Sequence, residues 1–319
     1  MDSRMDTKKD VSQIYIVLNP VAGHSGVDDI HKMLEERFQV GTHIYEVYET
    51  TGEEDVAELT KAACSRGSTL VVAAGGDGTV AGVVNGLQQA KVPLGIIPVG
   101  TGNGLARALQ IPLSIDQAID LLAGENELMN LDALRVEDKI YVLNVSAGIS
   151  ANAMQETPHT EKKRWGVLAY VRTIIAQLVG FQPRRFWLTI DGHRVMIRAS
   201  EILVSNGELL KDPFPLGPRE RFNDGMMDIY IINANNLIDY LKVAWNALVH
   251  RGEKKQELRH MEAKKSVKIE SVGSPLPTQA DGETLGVTPV EIEIIPDALQ
   301  VIVPKANENQ EEKNGRKNK

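Results

Sequence analysis

The chain has 319 residues, enough for about two domains, each with a sizeable core. Its formal net charge is −8, and the deficit lies early: residues 13–129 carry 6 Lys and Arg against 15 Asp and Glu, whereas residues 130–305 carry 22 of each. An acidic first half argues against a nucleic-acid partner, whose phosphate backbone needs a basic face, and a single cysteine, Cys64, excludes an intramolecular disulfide and fits a reducing cytosol.

Residues 1–12 and 305–319 are charged and aperiodic and read as flexible tails. Met1 to Asp10 lacks the apolar core of a signal peptide. The first strand is Ile14 to Leu18, and it ends in the small-residue loop Asn19-Pro20-Val21-Ala22-Gly23 before a helix over Val27 to Phe38. A strand at His43 to Tyr48, a Thr50-Thr51-Gly52 turn and a helix from Glu53 to Ser65 follow, with Cys64 on the apolar face of that helix. Leu94 to Val99 is a further strand that breaks into Gly100-Thr101-Gly102-Asn103-Gly104, with helices over Leu105 to Leu109 and Ser114 to Ala123, Ser114 being the cap. Strands alternating with helices over residues 13–129 predict an open, mostly parallel α/β nucleotide-binding domain, which binds ligands at the C-terminal ends of its strands.

Beyond residue 130 strands succeed one another: Leu131 to Val136, Lys139 to Ala147, Phe186 to Ile190, Val195 to Ala199, Ile202 to Val204, Met227 to Ile232, Ser266 to Glu270, Val290 to Ile295 and Leu299 to Val303. Asp191-Gly192 is a hairpin signal, and helices are expected only at Trp165 to Val179 and Leu237 to Val249. The pattern predicts a C-terminal antiparallel β-rich sandwich domain over residues 130–304, and it leaves open whether the last strands stay there or pack back on the first domain. The most apolar stretch, Val167 to Phe181, is broken by Arg172 and Gln177 and is too short and polar to span a bilayer, so membrane contact is expected to be peripheral.

The chemistry centres on Val71 to Ala74 running into Gly75-Gly76-Asp77-Gly78-Thr79 and then the apolar-periodic Val80, Val83, Val84 and Leu87. A strand that breaks into glycines and restarts as a helix presents unpaired N–H groups and the positive end of a helix dipole, a site for a phosphate. Asp77 would repel a bare phosphate but suits a metal–nucleotide complex, holding a divalent cation or orienting a reacting group. The plainer alternative is an ordinary strand-to-helix turn with Asp77 as its cap. Late in the chain, Asn223-Asp224-Gly225-Met226-Met227-Asp228 and Asp281-Gly282-Glu283 add carboxylate turns, able to supply a general base and a metal ligand.

In this order, Asn19 to Gly23, Thr50, Gly75 to Thr79, Val84-Asn85-Gly86-Leu87, Gly95 to Asn103, Asn206-Gly207, Asn223 to Asp228 and Asp281-Gly282-Glu283 make the chain resemble the diacylglycerol kinase catalytic domain family, which also includes sphingosine and ceramide kinases. The resemblance implies ATP in a cleft between two domains and a lipid hydroxyl as acceptor. By it, Asn19, Pro20, Val21, Ala22, Gly23, Thr50, Gly75, Gly76, Asp77, Gly78, Thr79, Gly100, Thr101 and Asn103 hold the nucleotide. Glu283 takes the proton, with Asp77 and Asp281 beside it as catalytic residues. The structural Mg2+ site of bacterial members matches Asp224 with the backbone carbonyls of Arg221 and Met226. Such a set suits phosphoryl transfer, which needs positioning, a metal and a proton acceptor.

The chain departs from the family's pattern at Ala81-Gly82, at Gly104 and at Lys211 to Pro218; the first two substitutions remove polar groups expected near the phosphates, and Gly104 follows the sphingosine and ceramide kinase branch. The implied reaction is ATP-dependent phosphorylation of diacylglycerol to phosphatidic acid, with a sphingoid base, ceramide or phosphatidylglycerol as alternative acceptors. NAD kinases and phosphofructokinases share the Gly-Gly-Asp-Gly-Thr loop, and a catalytically impaired nucleotide- or lipid-binding regulator is the non-enzymatic alternative. The expected setting is the cytoplasm, peripheral at the inner face of the membrane, with a homodimer open to it as to related bacterial enzymes. Basic residues beside aromatics at Lys162 to Trp165 and Arg184 to Trp187, and the run from Arg251 to Lys268, are candidates for contact with the bilayer.

Overall fold

Three continuous apolar runs each become a strand buried on both faces, as the centre of a parallel sheet requires. They are β1 (Ser12–Leu18), β3 (Leu70–Gly75) and β4 (Leu94–Pro98), and with β2 (His43–Glu49) they run parallel in the order β2-β1-β3-β4. The protein was analysed as a computed structural model that describes residues 12–20, 27–38, 43–148, 183–207, 222–234 and 258–305. These divide into two compact units, one up to Met129 together with the residues from Gln300 onward, the other from Asn130 to Leu299.

In the first unit, α1 (Val27–Phe38) buries Ile30, Leu34 and Phe38, one per turn on one face. The helix α2 (Val56–Ser65) begins three residues later than its acidic run suggests. Asp55 is its cap, accepting from the N–H groups of Ala57 at 2.9 Å and Glu58 at 3.2 Å, while the Glu54 carboxylate is drawn back into the preceding turn by the N–H groups of Thr51 and Gly52. Helix α3 (Asp77–Gly86) packs closely on α2. A Cβ at Gly82 would sit 2.7 Å from Val56 Cβ, and one at Gly86 would sit 2.5 Å from the Ala57 carbonyl oxygen. Gly82 therefore serves helix packing, which gives its lack of a side chain a structural cause.

Two further helices are α4 (Gly104–Ala108) and α5 (Ile115–Ala123). Ser114 occupies the cap position of α5, but its hydroxyl makes no capping hydrogen bond, contrary to expectation. Arg37 of α1 holds α5 through Asp120 at 2.5 Å and Asp116 at 3.1 Å. Cys64 is half-buried, and burial pushes its thiol up, as expected of an inert structural cysteine.

The second unit is two antiparallel layers. One contains β5 (Glu127–Val136, within this unit from Asn130), β6 (Lys139–Tyr141), β8 (Arg184–Ile190), β9 (His193–Ala199), β13 (Ser266–Ser271) and the first part of β16 (Val290–Val303). The other runs in the order β12 (Leu258–Ala263), β11 (Met227–Ile232), β10 (Glu201–Asn206), β7 (Asn144–Gly148), β14 (Pro277–Ala280), β15 (Glu283–Val287). Their inner faces share one core, in which Phe186, Leu188, Val267 and Ile292 meet Val145, Ile202, Val204 and Ile229. Among the described residues the molecule is thus a parallel α/β unit and an antiparallel β unit, as the sequence pattern predicts.

The sequence misplaces several strands. Lys139 to Ala147 is two strands in different layers, because the N–H groups of Val142, Leu143 and Asn144 all turn to the Asp281 carboxylate at the bend. The run from Val290 to Val303 is one strand through Pro296, and its final residues pair in parallel with β4, Val301 opposite Leu94. Three strands escaped notice: β12, which is exposed along most of its length, and the pair β14 and β15 around Asp281-Gly282. The expected helices at Trp165 to Val179 and Leu237 to Val249, the expected tails apart from Lys305 and from Ser12, which begins β1, and Lys211 to Pro218 lie outside the described residues. None of the described helices is long and apolar enough to cross a membrane.

Candidate active site

The two glycine loops of the first unit interlock at the C-terminal ends of β3 and β4. A Cβ at Gly75 would fall 2.3 Å from Thr79 Oγ1, one at Gly100 would fall 2.5 Å from Gly76 Cα, and one at Gly102 would fall 2.4 Å from Asp77 Oδ2. No side chain fits where the loops touch. Asp77 is the tie between them: Oδ2 accepts from the N–H of Asn103 at 3.0 Å and Oδ1 from that of Gly104 at 2.6 Å. The cap position of α3 is Gly76, and Asp77 is the helix's first residue, so its carboxylate serves the start of α4 rather than its own helix.

The other predicted nucleotide residues of this unit stand beside these loops. The Asn19 N–H donates to the Ala74 carbonyl at 2.9 Å, the Asn19 side chain reaches Thr79 Oγ1 at 3.4 Å, and the Thr50 N–H donates to the Leu18 carbonyl at 2.8 Å. Thr50 and Thr79 are buried, Pro20 is half-buried, and Gly78 and Thr101 face solvent. Asn103 has φ +52 and donates from its side chain to the Gly100 carbonyl at 2.7 Å. Its Oδ1 is buried and accepts no hydrogen bond from the described residues. A cavity of about 500 Å³ opens along this loop, lined by Gly100, Thr101, Asn103 and Arg107 on one side and by Ile30, Met33 and Ile115 on the other. Val21, Ala22 and Gly23 lie outside the described residues.

In the second unit, Asp281 (φ +46) and Gly282 (φ +86) form the tight turn from β14 to β15. The Asp281 carboxylate accepts from the N–H groups of Val142, Leu143 and Asn144 at 2.8, 3.0 and 2.8 Å, and clamps the turn to the bend between β6 and β7. Glu283 is the first residue of β15 and is exposed. It borders a cavity of about 670 Å³ with Arg135, Lys139, Tyr141, Lys268 and Glu291. Burial pushes the Tyr141 hydroxyl up to about 12, with the charges of Glu283 and Asp281 adding to it, so Tyr141 remains a proton donor at neutral pH.

The predicted metal-binding turn lies in the same unit. Asp224 is exposed and its Oδ1 accepts from the Met226 N–H at 2.9 Å; Arg221 lies outside the described residues. Beneath the turn is Asp132, fully buried, which accepts from the N–H groups of Gly225 at 2.7 Å and Asp297 at 2.9 Å. Burial pushes the Asp132 carboxyl up; these two N–H groups oppose that, and the charges of Asp297 and Asp224 reinforce it. Three carboxylates therefore crowd one turn. With the Asn223 amide turned so that its nitrogen donates to Asp297 and Asp132 at 3.1 Å each, the cluster is cross-linked. Oxygen donors of this kind suit a hard divalent cation such as Mg2+.

Comparison with known proteins covers both units. Residues 13–136 match the diacylglycerol kinase catalytic domain, and residues 143–303 match the YegS C-terminal NAD kinase beta sandwich-like domain. The chain belongs to the diacylglycerol kinase catalytic domain family. Among curated relatives, the diacylglycerol kinase of Bacillus subtilis is 29% identical over 92% of this chain and 97% of its own length. The diacylglycerol kinase of Mycobacterium tuberculosis is 24% identical over 93% and 97%. A crystal structure of a diacylglycerol kinase from Bacillus anthracis has the same fold, with a TM-score of 0.70 at 21% identity over 93% of this chain and 98% of that one.

Sequence reasoning for this family member missed Asp132 and Tyr141. The signal for Asp132 was present, a lone carboxylate inside the apolar run Leu131 to Leu134, since such a group is buried only with partners. Tyr141 carried no signal, because an aromatic residue in a strand ordinarily reads as core. Asn206 joins the same framework, donating from its side chain to the carbonyls of Asp132 at 2.6 Å and Val142 at 3.2 Å.

Proposed function

We propose that the chain is an ATP-dependent lipid kinase that transfers the γ-phosphate to an alcohol, with diacylglycerol as the acceptor and phosphatidic acid as the product. The observation that carries this reading is the match of both units to the family, combined with a turn that spends Asp281 on the backbone and leaves Glu283 exposed at a cavity. In this reading the interlocked loops Gly75 to Thr79 and Gly100 to Asn103, with Asn19 and Thr50, hold the phosphates and ribose by backbone N–H and hydroxyl groups. Glu283 accepts the proton of the lipid hydroxyl as its oxygen bonds to the γ-phosphorus, and the bond from that phosphorus to the bridging oxygen breaks to release ADP. Mg2+, when bound, neutralises phosphate charge. Asp224, with the Met226 and Arg221 carbonyls, is the proposed resident site, and the mutual repulsion of Asp132, Asp224 and Asp297 is what a cation there relieves. Such an enzyme works from the cytoplasm at the inner face of the membrane.

The test is transfer of labelled phosphate from ATP with Mg2+ into mixed-lipid vesicles by the native chain and by Glu283→Ala. Label in a lipid product, lost in the variant, is expected, and its mobility separates phosphatidic acid from phosphorylated sphingoid base, ceramide or phosphatidylglycerol. Transfer to NAD or a sugar phosphate, with none to lipid, overturns the reading.

A further inference from the structure

The hairpin β8–β9 has a charge distribution that folding does not explain. In a chain of net charge −8, residues 184–199 carry four arginines and one acid. That acid, Asp191, accepts from the N–H groups of Lys264, Lys265 and Ser266 at the turn and so neutralises none of them. In register, Arg185 lies opposite Arg198, Trp187 opposite Met196, and Thr189 opposite Arg194. Alternation puts all six on the outer face of the layer, while Phe186 and Leu188 on the other face are fully buried. Like charges directly opposite each other across strands destabilise a sheet, so the pairing of Arg185 with Arg198 is not explained by stability, although Arg198 Nε also donates to the Pro183 carbonyl at 3.3 Å.

Apolar groups are interleaved with these cations. Met196 is 47% exposed, Trp187 lies opposite it, and β9 ends the strand order. The Arg194 guanidinium lies 4.5 Å over the Trp187 ring and pairs with Glu270 at 3.1 Å, which fixes the ring at the surface. Arg184, Arg185 and Arg198 make no ion pair among the described residues. The strip is also continuous with the cavity of Glu283: Lys268 of β13 lies opposite Thr189 and lines that cavity.

We propose that this face, through Arg185, Arg198, Arg194, Trp187 and Met196, docks on an anionic lipid bilayer. Guanidinium groups with an indole and a thioether between them match the layered chemistry of a membrane interface, phosphate outside and hydrocarbon beneath. A second copy docked about a two-fold axis through this face would bring its own arginines against these. The consequence for activity rests on the lipid-kinase reading: docking brings the Glu283 cavity to an acceptor that never leaves the membrane. The binding itself does not depend on that reading.

The experiment is sedimentation of the full-length protein with vesicles of phosphatidylglycerol and phosphatidylcholine, or of phosphatidylcholine alone, at low and high salt. The native chain is expected to pellet with the anionic vesicles only, and less as salt rises. The double variant Arg185→Gln, Arg198→Gln is expected to bind about 25-fold more weakly, at roughly fivefold per charge, with a melting temperature close to the native one. Met196→Ser is expected to weaken binding by a smaller factor. Equal binding to neutral and anionic vesicles, or a double variant that binds like the native chain, overturns the proposal. So does a lipid-free dimer in analytical ultracentrifugation that the double variant disrupts. Native-like pelleting without phosphate transfer to any acceptor would remove the kinase reading and leave the docking face standing. Transfer to a water-dispersed short-chain diacylglycerol by protein that never pellets would do the reverse.

Discussion

The turns at Asp191 and Asp281 are built alike but lead into strands of different roles. Each Asp sits at positive φ, +47 and +46, each is followed by a glycine at +87 and +86, and each carboxylate accepts three backbone N–H groups from a neighbouring bend. Asp191 joins two strands of a plain hairpin, whereas Asp281 sets the direction of the strand that begins with Glu283. A clamp that recurs where no chemistry is expected is a structural device, which supports the proposal that Glu283 is the reactive carboxylate and Asp281 its positioning residue. Asp77 is the first unit's version of the same device, with two N–H groups instead of three and an interlocked glycine loop in place of a strand.

If this comparison is right, the largest effect on turnover comes from Glu283→Gln, which removes the proton acceptor without touching any clamp. Phosphate transfer is expected to fall by about 10²- to 10⁴-fold with an unchanged melting temperature. A variant that retains near-native turnover sinks Glu283 as the base. Asp77→Asn comes next, because it disturbs both loops at once. Two hydrogen bonds to a charged group are worth about 3 kcal/mol together, so both stability and nucleotide affinity should drop, measurable by denaturant unfolding and by ATP titration. Unchanged ATP affinity in a destabilised Asp77→Asn protein would confine Asp77 to loop architecture.

Asp281→Asn and Asp191→Asn test the clamp itself. Each loses charge-assisted bonds in a partly exposed setting, and each should cost about 1–2 kcal/mol of stability. Only Asp281→Asn should lower turnover, through a misdirected Glu283, and its defect should be smaller than that of Glu283→Gln. Equal turnover loss in both variants would mean that global loosening, rather than positioning, is being read.

The contrast between the units also explains what the sequence made legible. The glycine loops announced themselves because their spacing is dictated by backbone contact: no side chain fits at Gly75, Gly100 or Gly102, so the composition carries the geometry. The parallel strands were equally plain, since burial on both faces leaves a continuous apolar run. The clamps were not legible. Asp281 reads as a reactive carboxylate because its partners, Val142 to Asn144, lie about 140 residues away in sequence and contribute only main-chain N–H groups, which leave no mark on side-chain identity. Strand β12 was hidden for a related reason: an edge strand exposed at four successive positions has no alternation to detect.

The smallest predicted effect concerns a fourth carboxylate spent on backbone, at the turn just after Thr50. Glu54 accepts from the N–H groups of Thr51 at 3.0 Å and Gly52 at 3.1 Å and from the Thr51 hydroxyl at 2.9 Å. These bonds, those from the Thr51 N–H foremost, hold its carboxyl at about 2, below the ordinary 4.5. The sign comes from linkage: a carboxyl whose folded-state value is depressed stabilises the turn fully above pH 4.5, and that contribution is lost as pH falls toward 2. Because Glu54 lies in a surface turn, the effect is local, and the measurement is the pH dependence of the Thr51 and Gly52 amide resonances. Between pH 6 and 4 these should stay fixed while a glutamate in an unstructured peptide titrates. An inflection near pH 4.5 at both amides would show that the turn does not hold the carboxylate, and the start of α2 at Val56 rather than at Glu53 would then need a cause other than Glu54.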